Sequence, residues 1–70
     1  MTLTEGMPNT SYTITDIVAK EDGMKDFLFS LGCFPGEDIT IISQLASNMI
    51  VNIKDARYSI DSELAKAIVV

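Results

Sequence analysis

The most constraining feature of this sequence is a series of short alternating segments joined by connections of one to three residues. Residues 38–45, 49–54 and 56–60 alternate apolar and polar side chains, the period of a strand with one buried face. Parallel strands need a crossover of about a dozen residues, so these strands must pair antiparallel. Ile42 interrupts the alternation of its segment and marks either a β-bulge or a position buried on both faces. The second half of the chain therefore predicts a small antiparallel sheet.

The first half predicts one strand followed by one helix. Residues 11–20 are rich in β-branched and aromatic side chains, which favours a strand. Apolar residues then recur at i, i+3, i+4 and i+7, the spacing of one helical face: Met24, Phe27, Leu28 and Leu31. Asp22 is the expected N-cap, and Gly32 is the residue expected to take positive φ just past the helix. Pro35-Gly36 predicts a turn of type II.

The remaining segments complete the predicted fold. Residues 1–10 are turn-rich, and we expect them to place Leu3 and Met7 against the core. Asp61-Ser62 offers an N-cap to a short helical turn, and residues 67–70 form the last strand. A sheet this small exposes its edges unless it closes. The predicted fold is mainly β: a small antiparallel β-barrel of about five strands, with one helix between the first two strands and a helical turn before the last.

Length and charge narrow the function. At 70 residues the chain predicts one domain, residues 1–70, with little room for a cleft beside its core. Ten acidic residues against five scattered basic ones argue against nucleic acid and against an anionic membrane surface as partners. No apolar run reaches the roughly 18–20 residues that span a bilayer, and the N-terminus lacks signal-peptide features. A single cysteine fits a reducing compartment, so the predicted location is the cytoplasm.

The reactive residues predict neither catalysis, nor a cofactor, nor a bound metal. Without histidine, the common Ser–His and Cys–His nucleophiles are excluded, as are the usual zinc sites. The four glycines match no nucleotide-binding loop. The densest acidic cluster, Glu21, Asp22 and Asp26, could hold a hard cation, but a solvated cluster at a helix start is the favoured interpretation. Cys33 is interpreted as a core residue rather than a reactive thiol.

Two aromatic residues indicate a surface for a partner. Phe29 lies off the inner stripe of the predicted helix, and Phe34 lies in the following turn beside Pro35. Because turn tips usually face solvent, we expect Phe34 to be exposed, whereas burial and exposure of Phe29 remain equally open. An exposed apolar patch of this kind is typical of a protein–protein contact.

The chain resembles the ferrous iron transport protein A (FeoA) family over nearly its whole length. The resemblance rests on residues 3–17, on Leu28-x-x-Leu31-Gly32-Cys33-Phe34-Pro35-Gly36-x-x-Ile39-x-Ile41, and on residues 51–60, 63–65 and 68–70. It implies an SH3-like barrel. It also implies a small, non-enzymatic cytoplasmic accessory of bacterial ferrous iron uptake, acting with the GTP-binding part of the membrane transporter FeoB.

Two positions depart from the family pattern. Relatives often carry several basic residues before the L-x-x-L-G segment, but only Lys25 remains here, and Phe27 stands where a basic residue is common. Many relatives have glycine near Asp55, and aspartate tolerates positive φ better than most residues. The residues expected to bind a partner are Lys25, Phe29, Phe34 and Pro35. The alternative functions are a carboxylate-based divalent metal sensor and an SH3-like module that self-associates through an edge strand or the Phe34 region.

Overall fold

The computed structural model describes residues 1–70 as six strands and three short helices. Their order is a 3-10 helix (Leu3–Glu5), β1 (Thr10–Thr13), β2 (Asp16–Ile17), α1 (Asp22–Ser30), β3 (Asp38–Gln44), β4 (Asn48–Ile53), β5 (Ala56–Asp61), α2 (Ser62–Ala67) and β6 (Ile68–Val69). β1, β3, β4 and β5 form an antiparallel sheet in that order, and β2 pairs with β6. The prediction of a mainly β, antiparallel architecture is confirmed.

The predicted closed barrel is wrong, because the single strand expected over residues 11–20 divides in two. The N–H of Ile14 donates to the carbonyl of Glu37, whereas the N–H of Thr15 donates to the carbonyl of Val69. Consecutive groups of an extended chain point in opposite directions, so this step passes the chain from one sheet to the other. β1 and β5 remain the two unjoined edges of the larger sheet. The helix α1 consequently follows the second strand rather than the first.

β3 contains a bulge at Ile42, the first of the two alternatives that its sequence left open. The pairing of β3 with β4 shifts between Ile41 and Ser43, which leaves Ile42 without a partner. The bulge bends the strand while Ile39 and Ile41 stay fully buried. On β4 the alternation is as predicted, since Met49, Val51 and Ile53 all face the core.

α1 differs from its prediction at its start and on its inner face. Asp22 is the first helical residue, Glu21 is the N-cap, and no side chain caps the helix. Phe27 is 48% exposed, because α1 meets the core along a narrow stripe. That stripe consists of buried Leu28 flanked by the half-buried Met24 and Leu31.

The N-terminal segment contributes Leu3 to the core but not Met7. Leu3 is fully buried, as expected, whereas Met7 is 66% exposed. Gly6 occupies the inner position beside Ile41 and Tyr12. The N–H of Met7 donates to the Tyr12 hydroxyl at 2.9 Å, which fixes the backbone there while the Met7 side chain faces outward.

α2 is capped as the sequence predicts. The N–H of Leu64 donates to Oδ1 of Asp61 at 2.9 Å, the N-cap arrangement that satisfies an otherwise unpaired amide. The last strand is two residues long rather than four. α2 thus leads the chain back to β2, where Ile17 pairs with Ile68 and both are buried.

We predict that Gly6→Ala destabilises the fold by about 1–3 kcal/mol, the usual cost of overpacking. A Cβ at Gly6 would lie 2.5 Å from Cδ1 of Ile41 and 2.9 Å from Cε2 of Tyr12. The matched control is Gly23→Ala, because a Cβ at Gly23 meets nothing within 4 Å and alanine favours a helix by up to about 1 kcal/mol. Urea unfolding should show opposite signs for the two variants. Equal free energies of unfolding would contradict the proposed packing of Gly6.

Candidate functional site: an aromatic row between two lysines

The end of α1 determines where the aromatic residues lie. Gly32 has a φ of 98°, as the sequence predicts. Its N–H donates to the carbonyl of Phe29, and the N–H of Cys33 donates to the carbonyl of Leu28. These two bonds define a Schellman motif, in which a left-handed residue reverses the chain. Cys33 and Leu28 are both fully buried in the core, so the next residue, Phe34, is directed back along the outside of the helix.

A tight turn follows immediately. The N–H of Glu37 donates to the carbonyl of Phe34 at 3.0 Å, Pro35 fixes φ at the second position, and Gly36 has a φ of 94°. This is the predicted turn, with glycine where positive φ is required. The N–H of Gly36 also donates to the carbonyl of Ile14 at 2.7 Å. The turn is therefore fastened to the sheet, which holds Phe34 in place.

The rings of Phe29 and Phe34 stack on each other. Their centroids lie 5.0 Å apart and their planes are inclined by 20°, within the range of favourable offset stacking. Nζ of Lys25 lies 5.6 Å from the centroid of Phe29, and Nζ of Lys54 lies 5.7 Å from that of Phe34. Both are cation–π contacts, each stabilising by about 0.5–1 kcal/mol at an exposed site. We call these four residues (Lys25, Phe29, Phe34 and Lys54) the aromatic row.

Of the four residues expected to bind a partner, the structure brings three together: Lys25, Phe29 and Phe34. The fourth, Pro35, lies next to Phe34. Lys25 and Phe29 lie one turn apart on α1, and Phe34 is 41% exposed, as expected. Pro35 is exposed beside it. Phe29 is half-buried against the core, which is intermediate between the exposed and the buried alternatives left open for it. The role of these residues in binding a partner remains a proposal.

Lys54 is the member of the row that sequence reasoning missed. It lies in the two-residue turn between β4 and β5, where Lys54 and Asp55 have φ of 49° and 64°; Asp55 does accept positive φ. The Lys54 side chain passes over Gly32, whose Cβ position would lie 3.4 Å from its Cδ. Its Nζ then lies 3.5 Å from Oε1 of Glu37. The tight turn at Lys54 and Asp55 depends on local sequence. The position of this hairpin beside α1 depends on tertiary packing, so the sequence did not indicate that Lys54 reaches Phe34.

The aromatic row carries an unusual charge for this molecule. It holds two of the five basic side chains of an acidic chain, with Glu37 as its neighbouring carboxylate. The Lys54–Glu37 pair is exposed, so it orients the lysine more than it stabilises the fold. The row thus presents apolar rings between two positive charges, a surface that fits an apolar segment carrying acidic residues.

The structure shows no metal site and no ligand pocket comparable to the aromatic row. No group of three or more Cys, Asp or Glu side chains is placed to hold a metal ion, and Glu21, Asp22 and Asp26 are all exposed. The larger of two surface hollows has a volume of about 60 Å³, against about 300–1,000 Å³ for ordinary ligand pockets. No helix is long and apolar enough to cross a membrane.

Similarity to known proteins agrees with this architecture. The fold is of the small SH3-like class. The chain belongs to the FeoA family, since the model of the FeoA domain matches residues 1–70. The family is associated with ferrous iron transport. No protein of curated function matches the sequence.

Solved structures show the same fold at low identity. FeoA of Stenotrophomonas maltophilia in complex with zinc, described as an SH3 domain protein, is 23% identical with a TM-score of 0.90, covering 99% of this chain and 87% of its own. An iron uptake regulatory protein (FeoA) is 22% identical with a TM-score of 0.87, covering 97% and 91%. A manganese-dependent transcriptional repressor is 20% identical with a TM-score of 0.89, and 97% of this chain matches 39% of the repressor.

We predict that the Cys33 thiol is inert in the folded protein. Burial raises the pKa of this thiol to about 11. At pH 8 the sulfur is therefore protonated, and it is also inaccessible to a reagent in solution. An aromatic disulfide reagent should react only after unfolding in denaturant. Because the unfolded thiol ionises first, the free energy of unfolding should fall as pH rises from 9.0 to about 11. Rapid labelling of the native protein at pH 8 would contradict the observed burial.

Proposed function

We propose that this chain is a cytoplasmic accessory of ferrous iron uptake that binds the GTP-binding part of the transporter FeoB through the aromatic row. All 70 residues would act as one binding domain. The observation that carries the proposal is the Phe29–Phe34 stack held between Lys25 and Lys54. Membership of the FeoA family supports the process, and the free cysteine supports a reducing compartment.

The aromatic row has the physical properties of a binding centre. Aromatic side chains are enriched at the centres of protein–protein contacts, because each buries a large apolar area. Phe34 is already held by its stacking partner and by the fastened turn, so binding orders few additional rotamers. The two lysines favour a partner surface that combines acidic and apolar side chains. Because the rest of the protein is acidic, this local positive site would orient the protein as it docks on an acidic partner surface.

A carboxylate-based metal sensor is the less favoured alternative. FeoA of Stenotrophomonas maltophilia has been crystallised with zinc, which keeps metal binding open for the family. In this chain, however, the acidic side chains do not gather into a group of three. A metal that bound the native state tightly would raise the thermal midpoint. Ferrous or manganous ion that leaves the midpoint unchanged would exclude the sensor and leave the interaction function.

We predict that Phe34→Ser weakens binding of the FeoB GTP-binding domain by at least about tenfold in calorimetry. The variant removes the outer ring of the stack and leaves the core intact. Phe27→Ser is the matched control, because Phe27 is 48% exposed against 41% for Phe34 but lies on α1 outside the row; the affinity of this variant should match that of the parent chain.

Two results would contradict the proposal. One is parent-level affinity for Phe34→Ser with both variants folded. The other is the absence of any heat of binding for the parent chain with the nucleotide-free, GDP-bound and GTP-bound forms of the transporter domain. Circular dichroism and thermal midpoints establish that each variant folds before its affinity is compared.

A further inference from the structure

β5 leaves one edge of the larger sheet without a partner. It is the last strand in the sheet order and pairs only with β4. The register is unbroken from Asn48–Asp61 to Ile53–Ala56, so no bulge twists the edge away, and β5 contains no proline. Natural sheets usually block exposed edges by such devices. This edge is open to another strand.

The hydrogen-bonding direction along β5 follows from its hairpin. The N–H of Ser62 donates to the carbonyl of Ser47, and bonded and non-bonded pairs alternate along an antiparallel ladder. The Ile50–Ser59 and Asn52–Arg57 pairs are therefore non-bonded toward β4. Arg57 and Ser59 must direct their N–H and C=O groups outward. Neither residue takes part in the backbone bonds of the turns and loops.

The outward residues of β5 are complementary to themselves. Arg57 and Asp61 lie two positions either side of Ser59, and all three side chains are exposed on one face. We propose that two copies of this chain pair β5 against β5, antiparallel, about a two-fold axis through Ser59. Arg57 of each copy then stands directly opposite Asp61 of the other. The two-fold axis through Ser59 thus pairs the outward N–H and C=O groups of the two strands. The same axis also places each arginine opposite an aspartate.

Both charged side chains are available for this pairing. The salt bridges within the chain are Lys54–Glu37 and Lys66–Glu63, so Arg57 has no partner of its own. Asp61 uses one carboxylate oxygen to cap α2, which leaves the other for an arginine of the second copy. The opposite edge, β1, offers no such match, because its four residues carry no charge.

The expected dimer is weak. An edge contact of six residues falls in the class of small interfaces, below about 1,200 Å². The two copies also repel each other through their net charge of −5 each. Sedimentation velocity over a wide concentration range should show a reversible monomer–dimer equilibrium. A monomer at every concentration would overturn the proposal.

Ser59→Pro separates edge pairing from folding. The N–H that proline removes points away from β4, and proline is tolerated on such an edge. We expect this variant to fold and to remain monomeric, whereas Ser59→Ala should dimerise like the parent. A dimer that persists in Ser59→Pro would place the contact elsewhere and overturn the proposal.

Charge variants test the register independently of proline. Arg57→Asp should raise the dissociation constant of the dimer about tenfold, because both cross-strand pairs become repulsive. Asp61→Lys should have the same effect, and circular dichroism checks that α2 survives loss of its cap. Mixing the two variants should restore a dimer between unlike copies. Should Asp61→Lys fail to fold, Arg57→Asp alone decides: an unchanged constant contradicts the register. So does a mixture of folded variants that forms no mixed dimer.

Discussion

The Schellman motif at the end of α1 is the constraint on which the candidate site depends. Gly32 takes a left-handed conformation, and this reversal buries Cys33 beside Leu28. The chain must then emerge on the outside of the helix, which puts the ring of Phe34 on that of Phe29 at 5.0 Å. The Lys54 side chain crosses over this same glycine from the neighbouring hairpin. One backbone geometry therefore assembles the core contact and the surface row together.

The sheets supply the rigidity that this surface needs. Ile14 and Thr15 direct successive amides to different sheets, which locks the start of β3 and the last strand to one point of the chain. The turn carrying Phe34 is bonded to that same point through Gly36. An exposed aromatic ring on a free loop would be disordered and costly to bind, whereas a ring on a fastened turn is preorganised. The division of the predicted first strand into β1 and β2 therefore helps to fix the position of the turn that carries Phe34.

Features set by local geometry could be predicted from the sequence. The helical spacing of residues 24–31, the positive φ of Gly32 and Gly36, the bulge at Ile42 and the cap by Asp61 all follow from short-range rules. Exposure of Phe34 followed from its place in a turn. The core positions of β4 could also be predicted, because strict alternation of apolar and polar residues allows only one face of the strand to be buried.

Features set by distant contacts could not be predicted. Division of the strand over residues 11–20 depends on which sheet each amide meets, and its composition is uniformly β-favouring. The outward face of Phe27 depends on how much of α1 the core covers. The approach of Lys54 to Phe34 depends on where the β4–β5 hairpin lies relative to α1. These outcomes require the packed structure, as does the unpaired edge of β5.

The most direct measurement is an NMR titration of the isotope-labelled chain with the unlabelled FeoB GTP-binding domain. If the aromatic row is the binding surface, the largest shift changes fall on Lys25, Phe29, Phe34 and Lys54, and the amides of the buried β4 strand stay constant. Changes centred on a surface remote from these four residues, with the row unmoved, would contradict the account.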